Sequence, residues 1–173
     1  MNLRNQYDHR DCLEMGESAE AMFAELAERH GWSVTRAASE ADIDQHWDYA
    51  IAKDDRRFLV DVKAMKRVSR RDPSVQDQWL WVELHGVRLG DKGWLFGGKA
   101  DLLAVETRDA FVIVERQDLA RLVQQLVEWD RPVPTAREAH YRPYRRSGRH
   151  DLLALIETSR LLELKHARWP KES

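Results

Sequence analysis

Two short runs rich in strand-forming residues, 47–52 and 58–62, flank a charged stretch, Lys53-Asp54-Asp55-Arg56. That spacing predicts a β-hairpin. A lone hairpin is at best marginally stable in water, so the rest of the chain must cover it with more strands or a helix. Residues 16–30 provide one cover. Ala19, Met22, Phe23, Leu26, Ala27 and His30 form a single apolar stripe at helical spacing. Gly31 follows where a left-handed helix end is wanted, and Asp11 and Glu14 have the spacing of a capping box, which allows an earlier helix start than residue 16.

Further elements follow in order. Residues 32–36 read as a strand, 37–45 as a polar loop, and 64–77 as a basic loop or mobile helical piece. Strands are expected at 79–85, 94–96, 100–106 and 110–115, with Gly97-Gly98 as a hairpin or bulge. Helices are expected at 117–129 and 151–166, separated by a proline-containing loop over 131–143. The order predicts an α/β fold with a mixed central sheet flanked by helices. With 173 residues, one domain is expected, carrying a basic loop-and-helix C-terminal extension from about residue 131.

Composition excludes several classes. Hydrophobic residues make up 43%, too many for a disordered chain. The single cysteine, Cys12, rules out an internal disulfide framework or a multi-cysteine zinc site. Apolar runs of about five residues fall far short of a membrane span, and residues 1–15 lack the apolar core of a signal peptide. A cytoplasmic protein with no membrane partner is expected. The net charge of −2 does not itself mark a nucleic-acid binder, so local clusters must carry that argument.

Two such features stand out in the hairpin. Asp48 interrupts an apolar strand between Trp47 and Tyr49, and Asp61 and Lys63 flank Val62 on the next. Residues i and i+2 of a strand share a face, and hairpin pairing can bring Asp48 beside them. Two carboxylates held together favour a bound cation, and Mg²⁺ takes carboxylate, water and phosphate oxygens. An Asp-x-Lys triplet alone is short and common, and on an exposed strand it is merely solvated.

The wider pattern is more informative. Gly16-x-x-x-Glu20, Leu26, Gly31-Trp32-x-Val34, Asp48 and Asp61-Val62-Lys63 occur in that order, with 28 positions from Glu20 to Asp48 and 13 from Asp48 to Asp61. This arrangement resembles the PD-(D/E)xK nuclease superfamily, closest to its Holliday-junction-resolvase-like and Mrr-like members. Trp47 stands where that family has proline, and the resemblance covers about residues 15–65. It implies a restriction-endonuclease-like fold. It also implies that Asp48, Asp61 and the Val62 carbonyl bind Mg²⁺, with Mn²⁺ as a substitute. Glu20 would hold a metal-bound water, and Lys63 would orient the attacking water or offset charge on the phosphate. Glu17 is the alternative to Glu20, and Asp42 and Asp44 are candidates to help a second metal, although first-turn and loop solvation explain all three.

Two basic stretches suit a nucleic-acid backbone. Lys63, Lys66, Arg67, Arg70 and Arg71 place five cations in nine residues. Arg142, Arg145, Arg146 and Arg149 mix with Tyr141, Tyr144 and His150, whose rings could stack on bases. The bland reading of both is a solvated loop paired to neighbouring acids. Trp79 and Trp81 alternate on one strand, where core packing is the default. The reading favoured is a Mg²⁺-dependent nuclease acting on DNA, with homodimerisation left open. The alternative is a non-catalytic nucleic-acid-binding or protein-interaction module that keeps the nuclease fold.

Overall fold

A computed structural model describes residues 3–86 and 88–172, with side chains from residue 12 onward except at positions 40 and 41. The first element is a long helix, α1 (Leu3–Arg29). It runs through the Asp11–Glu14 pair instead of starting there, and the Asp11 side chain lies outside the described ones. Its buried stripe is Ala19, Phe23, Leu26 and Ala27. It ends on Gly31 at φ +81°. The Gly31 N–H donates to Glu28 O at 2.9 Å and the Trp32 N–H to Ala27 O at 3.0 Å, the paired bonds of a Schellman cap.

Strands β1 (Ser33–Arg36), β2 (Tyr49–Lys53) and β3 (Arg56–Lys63) follow as an antiparallel meander. Between β1 and β2 the chain forms a short helix, α2 (Ser39–Gln45), where a loop was expected. Its acidic, polar sequence carries no apolar stripe, which hid it. It stops at His46, at φ 54°.

The large sheet is completed by β5 (Leu102–Glu106), β6 (Ala110–Glu115) and β9 (His166–Pro170), in the order β1-β2-β3-β5-β6-β9. It is mixed, because β3 and β5 are parallel while its other pairs are antiparallel. A second sheet has the order β4-β8-β7, from β4 (Trp79–His85), β7 (Tyr144–Arg145) and β8 (Leu152–Glu157). The expected helix at 117–129 is α4 (Arg116–Leu126).

Two expectations are corrected here. Residues 94–96 form a single helical turn, α3 (Gly93–Phe96), not a strand. Gly97 closes that turn by donating to Gly93 O, and a Cβ on Gly98 would meet Trp94 O at 2.4 Å. The two glycines therefore serve a tight helical turn, not a hairpin. The expected helix at 151–166 is instead β8, a 3-10 segment over Thr158–Glu163 and β9. Ala154 and Ile156 join one core cluster while Leu155 joins another. A strand buried on both faces reads as an unbroken apolar run, and that run mimicked a helix. The expected loop-and-helix extension from about 131 thus adds strands to both sheets.

The large sheet carries apolar residues on both faces, and alternation along its strands assigns them. Ala104, Phe111 and Ile113 pack with α1, and Phe23 stacks on Trp169 of β9 at 5.5 Å. Leu103, Val105, Val112 and Val114 face β4, α3, α4 and β8. On β3, Val60 and Val62 belong to the α1 side. Asp61 and Lys63 alternate with them and so take the opposite face, where β4 and α3 lie. Among the described residues no helix is long and apolar enough to cross a membrane.

Candidate active site

The β2–β3 register fixes the first two carboxylates. Tyr49 pairs with Val60, so Asp48, one step before β2, stands across from Asp61. The Asp48 N–H donates to Val60 O at 2.8 Å, which continues the ladder. Asp48 and Asp61 are buried, and the charge of each acts on the other. The Val62 N–H donates to Asp48 Oδ2 at 2.6 Å. Lys63 Nζ lies 2.8 Å from Asp61 Oδ2. That contact is an ion pair without good hydrogen-bond direction, so Oδ2 keeps an unmet acceptor.

Electrostatics follow from this crowding. Burial first, and then the Asp61 charge, push the Asp48 pKa up to about 8, against relief from the Val62 N–H. Burial also raises the Asp61 pKa, and Lys63 opposes that rise. Glu20 lies on α1 within the field of both aspartates, and burial raises its pKa too. Its carboxylate is engaged elsewhere, by Arg36 Nη2 at 3.2 Å. Glu20 therefore joins the electrostatic cluster without touching the aspartates. Among the described residues no group of three or more His, Cys, Asp or Glu side chains closes tightly enough to hold an ion by itself.

Three more residues border the site. Glu83, buried on β4, accepts the Trp94 N–H at the start of α3 at 3.1 Å, and its pKa is raised by burial. A Cβ on Gly93 would meet the Glu83 carboxyl at 2.9 Å, so glycine makes room for it. The Trp94 ring takes the Lys63 ammonium at 4.3 Å from its centroid, a cation–π contact. His46, at the end of α2, lies in the field of Asp61 and Glu83 and sits 3.7 Å from Asp91. The sequence held one clue to Glu83, which breaks an apolar strand just as Asp48 does. Trp94 and His46 reach the site only through tertiary packing.

The remaining candidates are dispersed. Glu17, Asp42 and Asp44 are exposed, and Asp44 pairs with Arg88 at 3.4 Å. Arg70 and Arg71 are exposed, whereas Arg67 is half-buried with its backbone O accepting the Trp81 indole N–H at 3.0 Å. Arg145 donates to His150 O at 2.7 Å, and Arg146 pairs with the buried Asp151. Trp79 stacks on His140 at 3.9 Å and meets Tyr141 of the second basic stretch edge-on at 6.0 Å.

Comparison with family models, with curated proteins and with solved structures finds no match.

Proposed function

We propose that the chain is a metal-dependent nuclease with a restriction-endonuclease-like core, hydrolysing phosphodiester bonds in DNA. The observation that carries this reading is the pairing of Asp48 with Asp61 on adjacent strands, with Lys63 at 2.8 Å. Structural strands do not ordinarily bury two carboxylates side by side, since each destabilises the other's charge. Clustered groups with perturbed pKa values are the expected signature of a reactive site.

The donor set fits Mg²⁺ on chemical grounds. Asp61 Oδ2 is buried with only the Lys63 ammonium against it, at 2.8 Å, and burial raises the pKa of both aspartates, which disfavours their charge until a cation joins them. Asp48, Asp61 and the Val62 carbonyl would hold the ion, with Glu20 contributing through water. The small number of protein oxygens suits an ion that keeps waters and takes phosphate oxygens as well. Bound there, Mg²⁺ supplies Lewis acidity and a more acidic water. Lys63, between the Asp61 carboxylate and the Trp94 face, presents a fixed ammonium to charge developing on a phosphate.

One observation favours the second reading, a non-catalytic nucleic-acid-binding module. The carboxylate of Glu20 is already satisfied by Arg36, and Asp48 Oδ2 by the Val62 N–H. Calorimetry with Mn²⁺ separates the two. The nuclease reading expects weak binding that Asp61→Asn removes, together with plasmid cleavage lost in the same variant. Mn²⁺ binding unchanged by Asp61→Asn would place the ion elsewhere. DNA binding without cleavage of plasmid, branched or linear substrates would favour the module.

A further inference from the structure

Lys63 ends β3, and an ammonium on a flexible four-carbon stem has many positions open to it. Two groups limit it here: Asp61 Oδ2, at 2.8 Å, and the Trp94 ring, whose centroid lies 4.3 Å from Nζ. They differ in how they respond to a metal ion. A carboxylate that takes up a cation gives up that oxygen, and the ammonium beside it is then repelled. Hard divalent ions take oxygen ligands, so an aromatic face is not drawn into that exchange and still attracts the ammonium.

The turn that carries Trp94 is tied down on both sides. The Trp94 N–H donates to the buried Glu83 of β4 at 3.1 Å, and the Gly93 N–H donates to Asp91 Oδ1 at 2.8 Å. On the far side Leu95 O accepts from Arg116 Nη1 at 2.7 Å, while Arg116 Nε reaches Ala100 O at 2.8 Å. Leu95 itself is fully buried. The backbone around Trp94 is thus held from β4 and from the start of α4. Its ring is only partly buried and turns one face to a cation, so burial alone does not explain a tryptophan here.

We propose that Trp94 is the positioning residue of Lys63: its ring keeps the ammonium at the site when Asp61 turns to a cation, and the bonds from Glu83 and Arg116 to its turn hold the ring in place. The use of the ammonium on a phosphate rests on the nuclease reading; the hold of the ring on Lys63 does not.

The test uses the full chain and reads Lys63 both by NMR and by cleavage. The ring current of Trp94 should move the Lys63 CεH₂ signals upfield of ordinary lysines in the wild type, and they should stay there when Mg²⁺ is added. Trp94→Leu should return them to the ordinary position, and Trp94→Phe should keep part of the shift. The signals of Lys171, whose Nζ lies 5.7 Å from the Phe111 centroid, should move in neither variant. In Mg²⁺, Trp94→Leu should lower kcat roughly 5–30-fold with KM unchanged, the loss expected for one cation–π contact, and Trp94→Phe should recover most of it. In a Lys63→Ala background the same change should cost nothing further. A loss of equal size in that background would make the ring merely structural and overturn the proposal. So would wild-type Lys63 signals that are not shifted, or a shift that vanishes with Mg²⁺. Shifted Lys63 signals that respond to Trp94→Leu in a chain that cuts no DNA would sink the nuclease reading and still uphold the hold of Trp94 on Lys63.

Discussion

A groove at one end of the molecule and the crowded carboxylates around Asp61 handle charge in opposite ways. A groove of about 640 Å³ runs between the C-terminal end of α1, the β5–β6 turn and β9. Its four cations each have an acid. Arg29 pairs with Glu25 at 3.9 Å, Arg108 with Asp77 at 4.0 Å, Arg168 with Asp109 at 2.5 Å and Lys171 with Glu106 at 2.8 Å. Around Asp61, by contrast, two buried carboxyl groups, those of Asp48 and Asp61, stand across from each other on neighbouring strands. Matched pairs need nothing further. Crowded like charges repel until a proton or an ion of opposite sign joins them, so charge arrangement, and not volume, separates these two regions.

The strongest way to break that contrast is Lys63→Ala. The interaction proposed for Lys63 develops in the transition state, so cleavage in Mg²⁺ should fall about 10²–10³-fold, as for loss of one oxyanion-type donor. Binding to the same DNA in Ca²⁺ should lose only the ~0.9 of salt slope due to one phosphate contact. A variant that cuts at the wild-type rate would show that the active site has been misplaced.

The carboxylate pair makes a second, thermodynamic prediction. The Asp48 pKa is pushed up from 3.8 to about 8 on folding. Between those values the folded chain binds a proton that the unfolded chain does not. Stability should therefore fall as pH rises from about 4 to about 8, by roughly a few kcal/mol. Urea midpoints at pH 5 and pH 8 measure this. Asp48→Asn should flatten the profile, and Mn²⁺ should restore stability at pH 8. A profile that is flat or rises with pH in the wild type would mean that the pair carries no extra proton.

These expectations rest on a site whose centre was legible in the sequence and whose surroundings were not. Asp48, Asp61 and Lys63 were readable because strand alternation and hairpin pairing are local rules, and three residues out of place on apolar strands stood out against them. Glu83 obeyed the same rule, but it lies on a strand of the other sheet, so nothing local tied it to Asp61. The second sheet, which carries Glu83, depends on β8 being a strand. Its five consecutive apolar residues, 152–156, fit a helix as well as a strand buried on both faces. Periodicity fails where both faces are covered, and there tertiary structure alone decides.

Two smaller effects sharpen the comparison. Arg70 and Arg71 are exposed after the site strand. Changing both to Ala should flatten the salt dependence of duplex DNA binding by about 2 units, at ~0.9 per contact; an unchanged slope would assign them to the solvated surface. At the other end of the molecule, Arg29→Ala should cost about 0.2–0.5 kcal/mol, the value of an exposed i,i+4 pair, and leave DNA binding as it was. A marked loss of DNA affinity in Arg29→Ala would show that the groove, despite its matched charges, is part of the interface.

The alternation of β3 also sets which residues evolution can vary. Val60 and Val62 are buried against α1, and Asp61 and Lys63 occupy the other face. A slip of one residue would turn the charged pair into the apolar layer and the valines out of it. Such a slip would forfeit the burial of two side chains, worth ~1.5–3 kcal/mol each, and would also bury charge. The valines thus act as a proofreading device for the register of the aspartates, although they lie on the other face of the sheet. Replacing Asp61 or Lys63 leaves that register signal in place, so on the proposed reading it would remove the chemistry without turning the strand over. Val60 and Val62 lack that freedom, because the alignment of the strand depends on them.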